Sequence, residues 1–250
     1  MSKVPAGKRA PYVAFVFSSP QKESCWSLDF SQYLGAKLVL AGYSRIKLIC
    51  YEKSSSPNAV NYDASKEEIK ILAKVTGVNR TLTPDRRLIE YDNLASLPEC
   101  SVIILCVDSK DTWECSKTVA KIMPKGADFC LISLQNGVKN FQSVEPAFSD
   151  RKGLPVLDGA VGCVVGRAAA GGALCNLNGG SLVLSRLKKD AADRGQKFIN
   201  LLETCGLDVL YRAHVTPHTW GILVYNLFQA VCALTGLPPA AVFWDGRLRL

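Results

Sequence analysis

Phe129-Cys130-Leu131-Ile132-Ser133-Leu134-Gln135-Asn136-Gly137-Val138 decides how this chain is read. A short apolar run closed by an amide pair and a glycine predicts a buried strand that delivers polar side chains at its carboxyl end. In open α/β sheets that edge is where ligands bind. Working outward, residues 101–107 form a second apolar run of buried, parallel character. Between the two, residues 112–122 read as a helix stopped by Pro124. Upstream, the run 13–17 ends at the turn signal Ser18-Ser19-Pro20. Residues 28–41 then read as an amphipathic helix closed by Gly42, and 46–50 as the next strand. Ser65-x-x-Glu68 is a capping box ahead of Ile69, Ile71 and Leu72, which predicts a further helix. Strand and helix alternating in this rhythm imply βαβ units and a parallel sheet.

From about Gly153 the texture changes. Small-residue stretches (159–172, then Asn178-Gly179-Gly180-Ser181) separate short strands, including 181–184. A helix is expected over 191–205, a strand over 207–211, and a long helix over 218–234. That last helix is apolar nearly all round, so it calls for burial against a partner helix or another subunit. The chain ends at Leu250, soon after it.

Composition excludes several classes. Hydrophobic residues make up 48% and charged residues 21%, a globular balance. No apolar run is long enough to span a bilayer, so no membrane contact is expected. Residues 1–11 form a basic tail lacking the apolar core of a secretory signal. Ten cysteines stand singly with no C-x-x-C pair, and only His214 and His218 could join them as ligands, which argues against zinc and disulfides. The chain therefore reads as a reduced, cytoplasmic protein, and the sequon Asn79-Arg80-Thr81 as chance. The formal charge of +8 is spread along the chain, its densest cluster being Arg186, Lys188 and Lys189. Without a basic stripe interleaved with aromatics, nucleic acid is not an expected partner. A phosphorylated small molecule suits the same field.

Several stretches together resemble the ketopantoate reductase family, the NADPH-dependent 2-dehydropantoate 2-reductases. They are residues 34–42 with their closing glycine, the strand 102–107 with Asp108-Ser109-Lys110-Asp111-Thr112, the segment Gln135-Asn136-Gly137, and the run from His218-Thr219-Trp220 through Asn226 to Gly236. The resemblance implies a Rossmann-like doubly wound parallel sheet over residues 12–212, followed by a partial all-helical substrate or dimerisation domain over 213–250. It implies NADPH across the strand ends, a small-molecule 2-oxo acid as substrate, and a homodimer through the 218–235 helix. Asn136, Gln135, Lys53, Ser18 and Ser19 would meet the cofactor, and Asn226 the substrate.

Three departures from the family pattern bear on activity. Trp26-Ser27-Leu28-Asp29-Phe30-Ser31 stands where a glycine-rich dinucleotide loop is needed, with Asp29 adding negative charge near the helix start. Ser18, Ser19, Ser24 and Ser27 offer hydroxyls instead. After the second strand, Glu52 suits a ribose hydroxyl and Lys53 a 2′-phosphate. The family's proton-donating lysine falls on Ile222, which cannot donate, and no other catalytic residue is assigned. His218 has suitable chemistry, although capping or exposure is a commoner fate for a histidine there. The family's next asparagine falls on Ala230. The expectation is thus NADPH-dependent reduction of 2-dehydropantoate or a related 2-oxo acid, weak or lost. Two alternatives stay open: a non-catalytic Rossmann-like protein that binds a ligand or partner, and a truncated isoform.

Overall fold

A computed structural model describes residues 12–18, 26–52, 69–75, 78–168, 173–176, 180–185, 196, 199–200, 202–203, 206–238 and 241–242. Its centre is an eight-stranded, mostly parallel sheet. It is built from β1 (Tyr12–Ser18), β2 (Ile46–Tyr51), β5 (Ile89–Asp92), β6 (Cys100–Leu105), β7 (Cys130–Leu134), β8 (Val156–Val161), β11 (Leu182–Ser185) and β12 (Val209–Arg212). The spatial order is β12-β11-β8-β7-β6-β1-β2-β5, and only β11 pairs antiparallel to its neighbour β8. The chain leaves β1 toward β2 and β5, then returns to β6 on the other side, so the order reverses between β1 and β6. This is the Rossmann-like doubly wound pattern, with its ligand crevice expected outside the carboxyl ends.

Continuous apolar strands follow from helices on both faces: Val13 to Val16 and Ile103 to Leu105 are fully buried. On one face lie α2 (Thr112–Ile122) and α3 (Asn140–Val144), over Ala14, Val16, Ile103 and Leu131. Arg151 ends α2 by donating to the carbonyls of Ala120, Met123 and Pro124, the acceptors a helix end leaves unmet.

The other face carries α1 (Trp26–Leu40), whose Leu28, Leu34 and Leu38 pack on Phe15 and Leu48. A small second sheet, ordered β4-β3-β10-β9, lies beside α1. It comprises β3 (Ile71–Val75), β4 (Val78–Leu82), β9 (Val165–Arg167) and β10 (Leu174–Asn176). Between the two sheets Ser27, Asp29, Ser31 and Gln32 are buried as well, so α1 is enclosed rather than amphipathic. The second sheet also corrects the helix expected from Ile69, Ile71 and Leu72. Ile71 opens a strand that pairs antiparallel with β4. The buried pair Ile69 and Ile71 has the two-residue period of a strand. The capping box itself, and most of the helix expected over 191–205, lie outside the described residues.

At the opposite edge of the sheet, Lys47 is buried with its ammonium 2.9 Å from Asp92 and 2.8 Å from Glu99, above the Tyr12 ring. The network pins β2 to β5 and to the turn before β6. Burial opposes the Lys47 charge, but hydrogen bonds to Glu99 and Asp92 outweigh it and raise the pKa.

The apolar helix α4 (Thr216–Thr235) departs from expectation. Of its twenty residues only Thr219 is fully buried, while Trp220, Val224, Leu227 and Leu234 stand open at 52%, 63%, 59% and 88%. The described residues supply cover for one face of it alone. No helix among them is long and apolar enough to cross a membrane.

Candidate functional site

At the carboxyl edge of the sheet, β7 runs out at Leu134 and the amide pair parts company. Gln135 turns inward and is 2% exposed. Its Nε2 donates to the Val107 carbonyl at 3.0 Å and to Thr112 Oγ1 at 2.6 Å, and its Oε1 accepts from Ser133 Oγ at 2.8 Å. Every polar group of that side chain is engaged inside the protein, which ties β7 to the end of β6 and the first turn of α2. The cofactor contact expected of Gln135 is therefore not supported by the geometry.

Asn136 is half-buried and faces the edge. Its backbone carbonyl accepts from Ser109 Oγ and from Asn140 Nδ2, which fixes the turn while leaving the side-chain amide for other work. Gly137 follows with φ at 119°, and a Cβ there would meet Ser109 Oγ at 2.6 Å, so only glycine allows this turn.

Ser18 is likewise an internal tie. Its Oγ accepts from the Asp108 amide and donates to Asp111 Oδ2, both at 2.9 Å, joining the end of β1 to the loop after β6. With 3% exposure its hydroxyl faces protein, not solvent. Ser19, Ser24 and Lys53 lie outside the described residues.

What gathers at this edge is a cavity of about 690 Å³. Trp26, Asn136, residues 161–164 and Ser181 form one side, and α4 the other. From α4 come His218, Gly221, Ile222, Tyr225 and Asn226, the spacing of one helix face. The structure thus brings Asn136, Ile222 and Asn226 to one cavity. It adds residues that the sequence reading did not select: Cys163, Ser181 and Tyr225, the last legible only as a helix-face neighbour of Ile222. Cys163 is held neutral, burial pushing its thiol up to about 11. Among the described residues no cluster could hold a metal ion. The eight described cysteines form no disulfide with one another, and burial pushes Cys106 and Cys130 up to about 12.

Asp29 does not act as a bare charge at the start of α1. Its carboxylate is 3.0 Å from Arg167 Nη2 and 3.2 Å from Nε, an ion pair that turns it toward the second sheet. Trp26 stacks on Phe30 with ring centres 4.9 Å apart, and Ser27 is fully buried.

No protein-family model matches the chain, and no curated protein sequence does. Solved structures do resemble it. A PanE/ApbA family ketopantoate reductase from Ralstonia eutropha JMP134 matches with a TM-score of 0.64 and 18% identity, over 95% of this chain and 68% of that one. A 2-dehydropantoate 2-reductase from Geobacter metallireducens GS-15 gives 0.65 and 15%, over 95% and 70%. D-mandelate dehydrogenase in complex with NADH gives 0.60 and 13%, over 95% and 67%. At these identities the likeness establishes the Rossmann-like fold alone and leaves the chemistry to be argued from the residues.

The described residues offer little to a nicotinamide dinucleotide. The helix that should receive a pyrophosphate begins with the stacked Trp26, not with glycines that let a phosphate approach the backbone. Among the described residues the cavity lining contains no Lys or Arg to meet phosphate charge.

Proposed function

We propose that this chain is a ketopantoate-reductase-like protein, cytoplasmic, whose edge cavity binds 2-dehydropantoate or a related small 2-oxo acid. NADPH-dependent reduction of that acid is weak or lost. One observation carries the reading: Asn136, after β7, and Ile222 and Asn226, on α4, line a single cavity at the carboxyl edge of a Rossmann-like sheet. The volume is that of a small-molecule site, and the two amides suit a keto or hydroxyl oxygen. Isoleucine at position 222 can neither donate a proton nor carry charge, and general acid catalysis is typically worth about 10²–10⁴ in rate.

The test is calorimetric titration with 2-dehydropantoate, followed by NADPH oxidation at saturating acid. The wild-type chain is expected to bind the acid with no steady oxidation. Ile222→Lys places an ammonium in the cavity and is expected to tighten binding about tenfold, the worth of a charged hydrogen bond. Oxidation should stay at background in the variant, since the start of α1 is unchanged. Absence of binding, or turnover by the wild type at ordinary enzyme rates, would overturn the reading.

A second reading, a protein whose work is to bind a partner, is favoured by the open face of α4. Seven large apolar side chains from Trp220 to Leu237 are 38–88% exposed, and α4 carries no charged residue. They offer on the order of 700 Å², close to the roughly 800 Å² each partner gives a standard interface. A second copy of this chain is the occupant that area suits. Sedimentation at micromolar concentration is expected to give a dimer that Val224→Lys with Leu227→Lys dissociates; a wild-type monomer would remove the reading.

A further inference from the structure

The face of α4 that closes the cavity carries His218 one helical turn before Ile222 and two before Asn226. Among the described residues the lining contains no Asp, Glu, Lys or Arg. Its titratable groups are Cys163, after β8, and Tyr225 and His218 on α4; β7, β11 and β12 add Asn136, Ser181, Val183 and Leu210, which do not titrate. Burial holds the Cys163 thiol neutral, and neither a thiol nor a phenol can become a cation. Among the described lining residues His218 is therefore the group able to carry a positive charge. It is half-buried, and no hydrogen bond or ion pair among the described residues engages its ring.

We propose that His218 is the anion contact of this cavity: its imidazolium holds the carboxylate of a ligand that bears one negative charge and an apolar body. The inference rests on the 2-oxo acid reading above and narrows it. A second negative charge would sit against Val161, Val164, Val183 and Leu210 with no further cation among the described residues to compensate it, which desolvation disfavours. The apolar body of the ligand meets those same side chains together with Trp26 and Ile222. Asn136 and Asn226 remain for the keto oxygen. Selectivity follows: a branched aliphatic 2-oxo monocarboxylate binds, the corresponding dicarboxylate binds far less, and a neutral ketone of the same shape loses the charged contact.

The pH dependence has a definite sign. A carboxylate is ionised throughout the range from pH 5.5 to 7.5, whereas imidazole loses its proton across it. If only the protonated ring holds the ligand, affinity falls as pH rises. By linkage, bound carboxylate keeps the His218 ring protonated to higher pH.

The experiment titrates the full chain with 2-oxo-3-methylbutanoate, 2-oxoglutarate and 3-methyl-2-butanone at pH 5.5 and 7.5. The His218 ring proton is followed by NMR, with the exposed His214 as internal reference. Expected are a several-fold weaker monocarboxylate at pH 7.5, a ligand-induced change in the titration of the His218 ring proton but not of His214, and loss of both in His218→Gln. Thermal melts check that the variant is folded. Binding of the monocarboxylate that is flat with pH, or matched by the neutral ketone, overturns the role of His218 and leaves the oxo-acid cavity standing. No binding of either acid at either pH overturns both.

Discussion

Replacing Gln135 by alanine is expected to cost about 3 kcal/mol of stability and to lower the urea midpoint by about 1 M. The amide is buried and serves three groups: the Val107 carbonyl, the Thr112 hydroxyl and the Ser133 hydroxyl. An unmet buried polar group costs on the order of 1–3 kcal/mol, and alanine leaves a cavity besides. The Val107 carbonyl suffers most, because it is fixed at the end of β6 and cannot rotate toward another donor. Gln135→Glu fails for a related reason, since a carboxylate offers no donor to that carbonyl and would bury charge. Asn136→Ala is the contrast. Its structural hydrogen bonds run through its backbone carbonyl, so stability should change by less than about 0.5 kcal/mol. Affinity for a 2-oxo acid should fall instead. Equal, small losses of stability in both variants would show that the two amides do not divide the work in this way.

The second large effect is Gly180→Ala, expected to cost about 3 kcal/mol and to weaken ligand binding together. A Cβ at this position would stand 2.1 Å from the Gly162 carbonyl oxygen and 2.6 Å from its carbon. Those neighbours are backbone, so no side-chain rotation relieves the overlap. The two segments must separate, which strains the hydrogen bond from the Gly162 amide to the Ser181 carbonyl just beyond the β8–β11 ladder. Gly162 and Ser181 both line the cavity, so the strain reaches the site. Gly221→Ala is the control: it is in mid-helix, nothing lies within 4 Å of a Cβ there, and stability should rise by about 0.5–1 kcal/mol. Differential scanning calorimetry of the two variants reads both signs. An unchanged melting temperature for Gly180→Ala would mean that the close backbone approach is not needed.

Local patterns in the chain carried much of the architecture. The apolar runs of β1, β2, β6 and β7 are legible because strands buried on both faces have no alternation to misread. Helix α2 is legible at both ends, from its periodicity and from Pro124. Where the reading failed, a neighbour distant in sequence had intervened. The second sheet beside α1 assembles β3 and β4 with β9 and β10, about 90 residues later, so Ile69 and Ile71 looked like the start of a helix. The same contact pairs Asp29 with Arg167 across 138 positions, which no local window contains.

The sequence by itself determined the parallel core and the polar turn that follows β7, because each is a matter of residue type and short-range spacing. Tertiary structure alone decided that Gln135 braces the sheet while its neighbour Asn136 faces a cavity, since successive side chains around a turn point in opposite directions and only packing settles which is inside. It also decided that His218 lines that cavity one turn before Ile222. Whether a histidine is a cap or a ligand contact depends on what the rest of the chain places in front of it.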